Sequence, residues 1–93
     1  MLTSMRLHVV REGTTGTPIV FVHGIGTSGE SWQAQMEHLR GSHRVIALDL
    51  LGHGNSPVPD DPEEYTRDRA LADIDTVLAT LDEPAVLVGH SLG

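Results

Sequence analysis

Two short stretches of this chain have residue types and spacings that can do chemistry. The first is GHSLG, Gly89 to Gly93, which fits G-x-S-x-G and directly follows the apolar run AVLV. A serine hydroxyl is a weak nucleophile until a base takes its proton. It must also project from a tight strand-to-helix turn so that a carbonyl carbon can approach it. Glycines two residues away on each side keep that turn clear of side chains. The stretch therefore points to Ser91 as a nucleophile, and to the backbone N–H of Leu92 as a donor to a developing oxyanion. The second stretch is HGIGTSG, at 23 to 29, directly after PIVFV. Its Gly24, Gly26 and Gly29 spell G-x-G-x-x-G, and Asp49 lies 20 residues beyond Gly29, as in a dinucleotide-binding fingerprint. Alone, this loop suits a pyrophosphate as well as an oxyanion. The dinucleotide reading, however, leaves GHSLG unexplained.

The elements around these loops alternate apolar runs with amphipathic stretches. That order predicts an α/β domain with a mostly parallel sheet and helices on both faces. MRLHVVR (Met5 to Arg11) reads as an edge strand and GTTGTP as a turn. PIVFV (18 to 22), RVIAL (44 to 48) and AVLV (85 to 88) read as buried strands. A helix is predicted from about Glu30 to Arg40, with Thr27 and Glu30 at capping-box spacing and Trp32, Met36 and Leu39 on its apolar face. Thr66 can cap a second helix, with Leu71, Ile74, Leu78 and Leu81 on one side and Asp68, Asp73 and Asp75 mostly elsewhere. DLLGHGNSPVPDDPEEY between them reads as a loop. Right-handed crossovers put the helices on opposite faces only if the strand order reverses between them, and such a reversal opens a crevice at the C-terminal strand ends. All three glycine-bearing loops emerge at that edge.

Three motifs in this order, HGIGTSGESW (23 to 32), DLLGHGNS (49 to 56) and GHSLG (89 to 93), resemble the N-terminal part of an α/β-hydrolase-fold enzyme of the serine-nucleophile branch. The likeness runs from about Leu7 to Gly93. It implies that the N–H of Ile25 is the second oxyanion donor, with His23 and Gly24 shaping its turn and Gly89 and Gly93 flanking the nucleophile. It also implies that Asp49 bonds loop amides and that DLLGHGNS has no catalytic role. In this family the acid and the histidine follow the serine in the chain. The expectation is therefore a single partial domain over 1-93, truncated after the nucleophile turn and inactive in isolation, with AVLV left as an uncovered edge. A serine rather than an aspartate at position 91 argues against members that open epoxides or remove halides. A small-molecule acyl substrate, such as an ester, is the expected partner.

Composition narrows the rest. Acidic residues outnumber basic ones 13 to 6, and all six basic residues are arginine. This excludes a lysine-dependent phosphate loop and argues against nucleic-acid binding. There is no cysteine, and no pair of the six histidines has a recognised metal-ligand spacing, so neither a metal nor a cofactor is expected. His90 adjoins Ser91, but neighbouring side chains on a tight turn diverge, which makes it a poor base; His53 can approach the crevice. No run of 18 apolar residues and no signal-peptide core is present, so a cytoplasmic protein without membrane contact is the default. The alternative class is a non-catalytic binding or scaffold module, or a half-domain that pairs with a second chain.

Overall fold

The computed structural model describes residues 7–24, 26–58 and 66–90. It contains strands β1 (His8–Glu12), β2 (Pro18–Val22), β3 (Arg44–Asp49) and β4 (Val86–Gly89), and helices α1 (Gln33–Leu39) and α2 (Arg67–Leu78). The strands form one sheet in the order β1-β3-β2-β4. β2 runs parallel to both β3 and β4, and β1 closes the other edge antiparallel to β3. The sheet is thus mixed, with its parallel part carrying the predicted strands.

Alternation along β2 and β3 divides the core into two layers. Val20, Val22, Ile46 and Leu48 face one way and pack with Val77, Ile74 and Leu78 of α2. Ile19, Phe21, Val45 and Ala47 face the other way, against Met36, Trp32 and Leu39 of the α1 segment. Burying one such aliphatic side chain contributes about 2 kcal/mol. A strand that is apolar on both faces therefore needs a helix on each, as predicted. The step from β2 to β3 goes to one side of β2, and the return to β4 goes to the other. This reversal sets a switch point at the C-terminal end of β2.

Several local expectations are corrected. The cap of the first helical segment is Ser28, whose Oγ accepts the Glu30 amide at 3.3 Å; Thr27 instead donates its hydroxyl to the Gly24 carbonyl at 2.7 Å. The segment opens as a 3-10 turn (Gly29–Trp32) and becomes α-helical only at Gln33. Thr66 does cap α2, accepting the Arg69 amide at 3.1 Å. Leu71, however, is 53% exposed, while Val77 is buried. At about 100° per residue, Leu71 lies roughly 70° from the centre of the stripe formed by Ile74, Val77, Leu78 and Leu81. Asp73, off the apolar stripe as expected, is nonetheless buried, with Oδ1 3.1 Å from Arg69 Nε one helical turn away.

β4 has the apolar composition of a buried strand but is, as expected, an uncovered edge among the described residues: Val86 and Leu87 are 52% and 53% exposed. Its entry is held by Arg44, which reaches Asp82 and Glu83, each at 3.1 Å. Among the described residues no helix is long and apolar enough to cross a membrane.

Candidate functional site

Loops leave the C-terminal ends of β2, β3 and β4 at one sheet edge, and side chains from the first two lock together. Asp49, the last residue of β3, is buried. Its Oδ1 accepts the Gly29 amide at 2.6 Å and its Oδ2 accepts the Asn55 amide at 3.0 Å. The Asp49 carbonyl accepts the Ser56 hydroxyl, whose oxygen in turn accepts the His8 amide at 2.7 Å. The segment after β3 therefore folds back around its own first residue. Gly54, at φ +50, passes so close to the Asp49 carboxylate that a Cβ there would strike it. Asp49 bonds loop amides with both carboxylate oxygens, as the resemblance implied.

His23 is fully buried. Its Nδ1 lies 2.8 Å from the Gly24 carbonyl and its Nε2 accepts the Leu50 amide at 2.9 Å. A carbonyl can only accept and an amide can only donate, so these partners fix the neutral ring with its proton on Nδ1. His53 repeats the pattern. Its Nδ1 donates to the Leu51 carbonyl at 2.9 Å, and its Nε2 accepts the Gly26 amide at 3.1 Å. The two rings pack at 4.9 Å, tilted by 48°. Each imidazole thus links the loop after β2 to the loop after β3, and neither has a ring nitrogen left over. The Gly24 carbonyl is held further by the Thr27 hydroxyl and amide, at 2.7 and 3.2 Å.

The third loop begins beside the first. Val22 pairs with Gly89, and the His90 amide donates to the Val22 carbonyl at 3.2 Å. The His90 ring stands edge-on to Trp32 at 6.4 Å, and Trp32 packs on Phe21 at 4.9 Å.

Of the predicted site residues, His23, Gly24 and Gly89 gather at this edge, whereas Ile25, Ser91, Leu92 and Gly93 lie outside the described residues. The hold of His53 on the loop was missed in the sequence. Its placement between Gly52 and Gly54, both with positive φ, is the signal for a tight turn that projects the intervening side chain. Among the described residues no group of three or more histidines and carboxylates could hold a metal ion.

Comparison with known proteins agrees with this architecture. Residues 17–93 match the family model for the alpha/beta hydrolase fold. The chain is 37% identical to epoxide hydrolase 4 of Mus musculus, over 98% of this chain and 26% of that protein. It is 40% identical to a haloalkane dehalogenase of Sphingobium indicum, over 95% of this chain and 31% of that one. Among solved structures, the thioesterase domain from the curacin biosynthetic pathway superposes with a TM-score of 0.85 at 32% identity, covering 98% of this chain and 38% of that chain. An epoxide hydrolase from Vigna radiata gives 0.86 at 31% identity, covering 94% and 29%. The chain spans between 26% and 31% of the length of these two curated relatives. With its sheet, its reversal point and its motifs in order, the chain belongs to the α/β hydrolase fold family.

Proposed function

We propose that this chain supplies the nucleophile and the oxyanion-binding amides of a cytoplasmic serine hydrolase that cleaves esters or related acyl compounds. Ser91 is the nucleophile, the N–H groups of Leu92 and Ile25 receive the oxyanion, and Gly89, Gly93, His23 and Gly24 shape the two turns. The observation that carries this reading is the pairing of Val22 with Gly89, with the His90 amide on the Val22 carbonyl. The HG loop and the GHSLG turn thereby leave the sheet from neighbouring points.

In the proposed reaction the Ser91 oxygen attacks the acyl carbon while a base takes its proton. The bond to the leaving group then breaks, the leaving group takes up that proton, and water hydrolyses the acyl-serine. Removing one oxyanion donor from such a site costs on the order of 10²–10³ in kcat. This chemistry needs neither a metal nor a cofactor. His23 and His53 have both ring nitrogens engaged with backbone groups, which argues against either acting as the base. The proposal therefore takes its base and orienting acid from groups other than these two histidines, and the isolated chain is expected to turn over negligibly.

Relatives named as epoxide hydrolases and haloalkane dehalogenases raise a different chemistry, and the residue at position 91 weighs against it. Displacement at a saturated carbon by a carboxylate leaves an ester that water can cleave, whereas displacement by serine leaves an unreactive ether. The discriminating experiment is an assay of the native protein against a nitrophenyl ester, an epoxide and a haloalkane. Turnover of the ester alone, abolished by Ser91→Ala, is expected. Epoxide or haloalkane turnover that survives Ser91→Ala would replace this reading.

A further inference from the structure

We propose that His53 and His23 form an acid-labile latch between the loops that leave β2 and β3. A proton taken up at His53 Nε2 frees the Gly26 amide and uncovers the His23 ring, which then takes a proton and frees the Leu50 amide. The inference holds whichever substrate the protein takes. Both rings are neutral in the latched state, because each Nε2 lone pair accepts a backbone N–H, from Gly26 at 3.1 Å on His53 and from Leu50 at 2.9 Å on His23. Each Nδ1–H meanwhile faces a carbonyl, that of Leu51 on His53 and that of Gly24 on His23. An imidazolium has two donors and no acceptor. A second proton on either ring therefore sets N–H against N–H, and that amide tie breaks.

Burial sets the order of these steps. His53 is half-buried, whereas His23, its ring 4.9 Å away, is fully buried. Water reaches His53 first, and a lone charge on His23 is costly until that ring is hydrated. Among the described residues no carboxylate or guanidinium bonds either ring. The Asp49 carboxylate at the end of β3 is engaged by the Gly29 and Asn55 amides, and Arg69 and Asp73 of α2 pair with each other. Glu30 in the 3-10 turn is exposed, and the His90 ring at the end of β4 stands against Trp32. The open form holds the extra protons, so the latch is closed at the alkaline end and lost as pH falls through the range of about 8 to 5 in which imidazoles gain their charge. The bonds of Asp49 to Gly29 and Asn55 involve no imidazole and outlast it.

The test is an NMR titration of the isotope-labelled native protein from about pH 8 to about pH 5. Scalar couplings across the Gly26–His53 and Leu50–His23 hydrogen bonds are expected at the alkaline end. Both are expected to vanish together at the acid end while the Gly29 amide resonance stays in place. In His53→Gln, whose side chain does not titrate, the Leu50–His23 coupling is expected to persist at the acid end. Couplings missing at the alkaline end, or kept by the wild type at the acid end, overturn the latch. Loss of the Gly29 tie in the same step also overturns it, because acid then loosens the fold as a whole. A Leu50–His23 coupling lost at the same pH in His53→Gln shows that His23 charges unaided, and overturns the part assigned to His53. None of these readouts depends on turnover, so the acyl-hydrolase reading stands or falls separately.

Discussion

The Asp49 carboxylate holds the Gly29 amide at 2.6 Å across 20 residues of sequence. These are the residues on which a dinucleotide-binding reading of HGIGTSG depends, one as the last glycine of the fingerprint and the other as the ribose acceptor. Here they satisfy each other, and the second carboxylate oxygen is taken by Asn55. The spacing that imitates a nucleotide site is the spacing that ties the loop after β2 to the end of β3.

This tie carries stability. Asp49→Ala would leave the Gly29 and Asn55 amides without their charged acceptor, and hydrogen bonds to charged groups are worth about 1.5–3 kcal/mol each. The expected loss is about 4 kcal/mol, read as a lower urea midpoint of the native protein. Asp49→Asn keeps one acceptor oxygen and should lose about half as much. Equal stability of Asp49→Ala and wild type would show that the amides find other partners.

Glycines at two turns should respond to very different degrees. Gly54→Ala places a methyl group onto the Asp49 carboxylate and forces alanine into the left-handed region, which alone costs about 1–2 kcal/mol. A total loss of about 3 kcal/mol is expected. Gly41→Ala meets nothing within 4 Å at the end of α1 and should stay within about 0.5 kcal/mol of wild type. Thermal unfolding of both variants checks the contrast.

Sequence and structure agree where the cause is local or compositional. PIVFV and RVIAL are strands because short, β-branched, doubly apolar runs bury both faces, and Thr66 caps α2 because its hydroxyl needs only its own helix. The pattern failed where neighbouring groups compete for the same partner. The Thr27 hydroxyl is drawn to the Gly24 carbonyl and Ser28 takes the cap. AVLV has the composition of a central strand and, as the sequence reading expected, is an edge: no described strand pairs with its outer side. At the site, the hold of Asp49 on loop amides was legible in the motifs, whereas the hold of His53 on Gly26 depends on two loops meeting; the flanking Gly52 and Gly54 signal its turn but not that partner.

That open edge should govern the solution behaviour of the 93-residue chain. Val86 and Leu87 expose apolar surface on a strand whose outer side no described strand covers, a template for pairing between copies. In sedimentation velocity the wild-type chain is expected to associate as concentration rises. Leu87→Lys, which charges the edge, should remain near 10.0 kDa. A wild-type chain that stays monomeric at high concentration would contradict this view of β4.

The central claim is that Ser91 is an activated nucleophile. The most direct measurement is to treat the native protein with a fluorophosphonate, which phosphonylates activated serines, and to map the adduct by peptide mass spectrometry. One phosphonyl group on Ser91, absent from Ser91→Ala, is the predicted result. An unlabelled Ser91 in protein that still hydrolyses esters, or an adduct on another residue, would contradict the account.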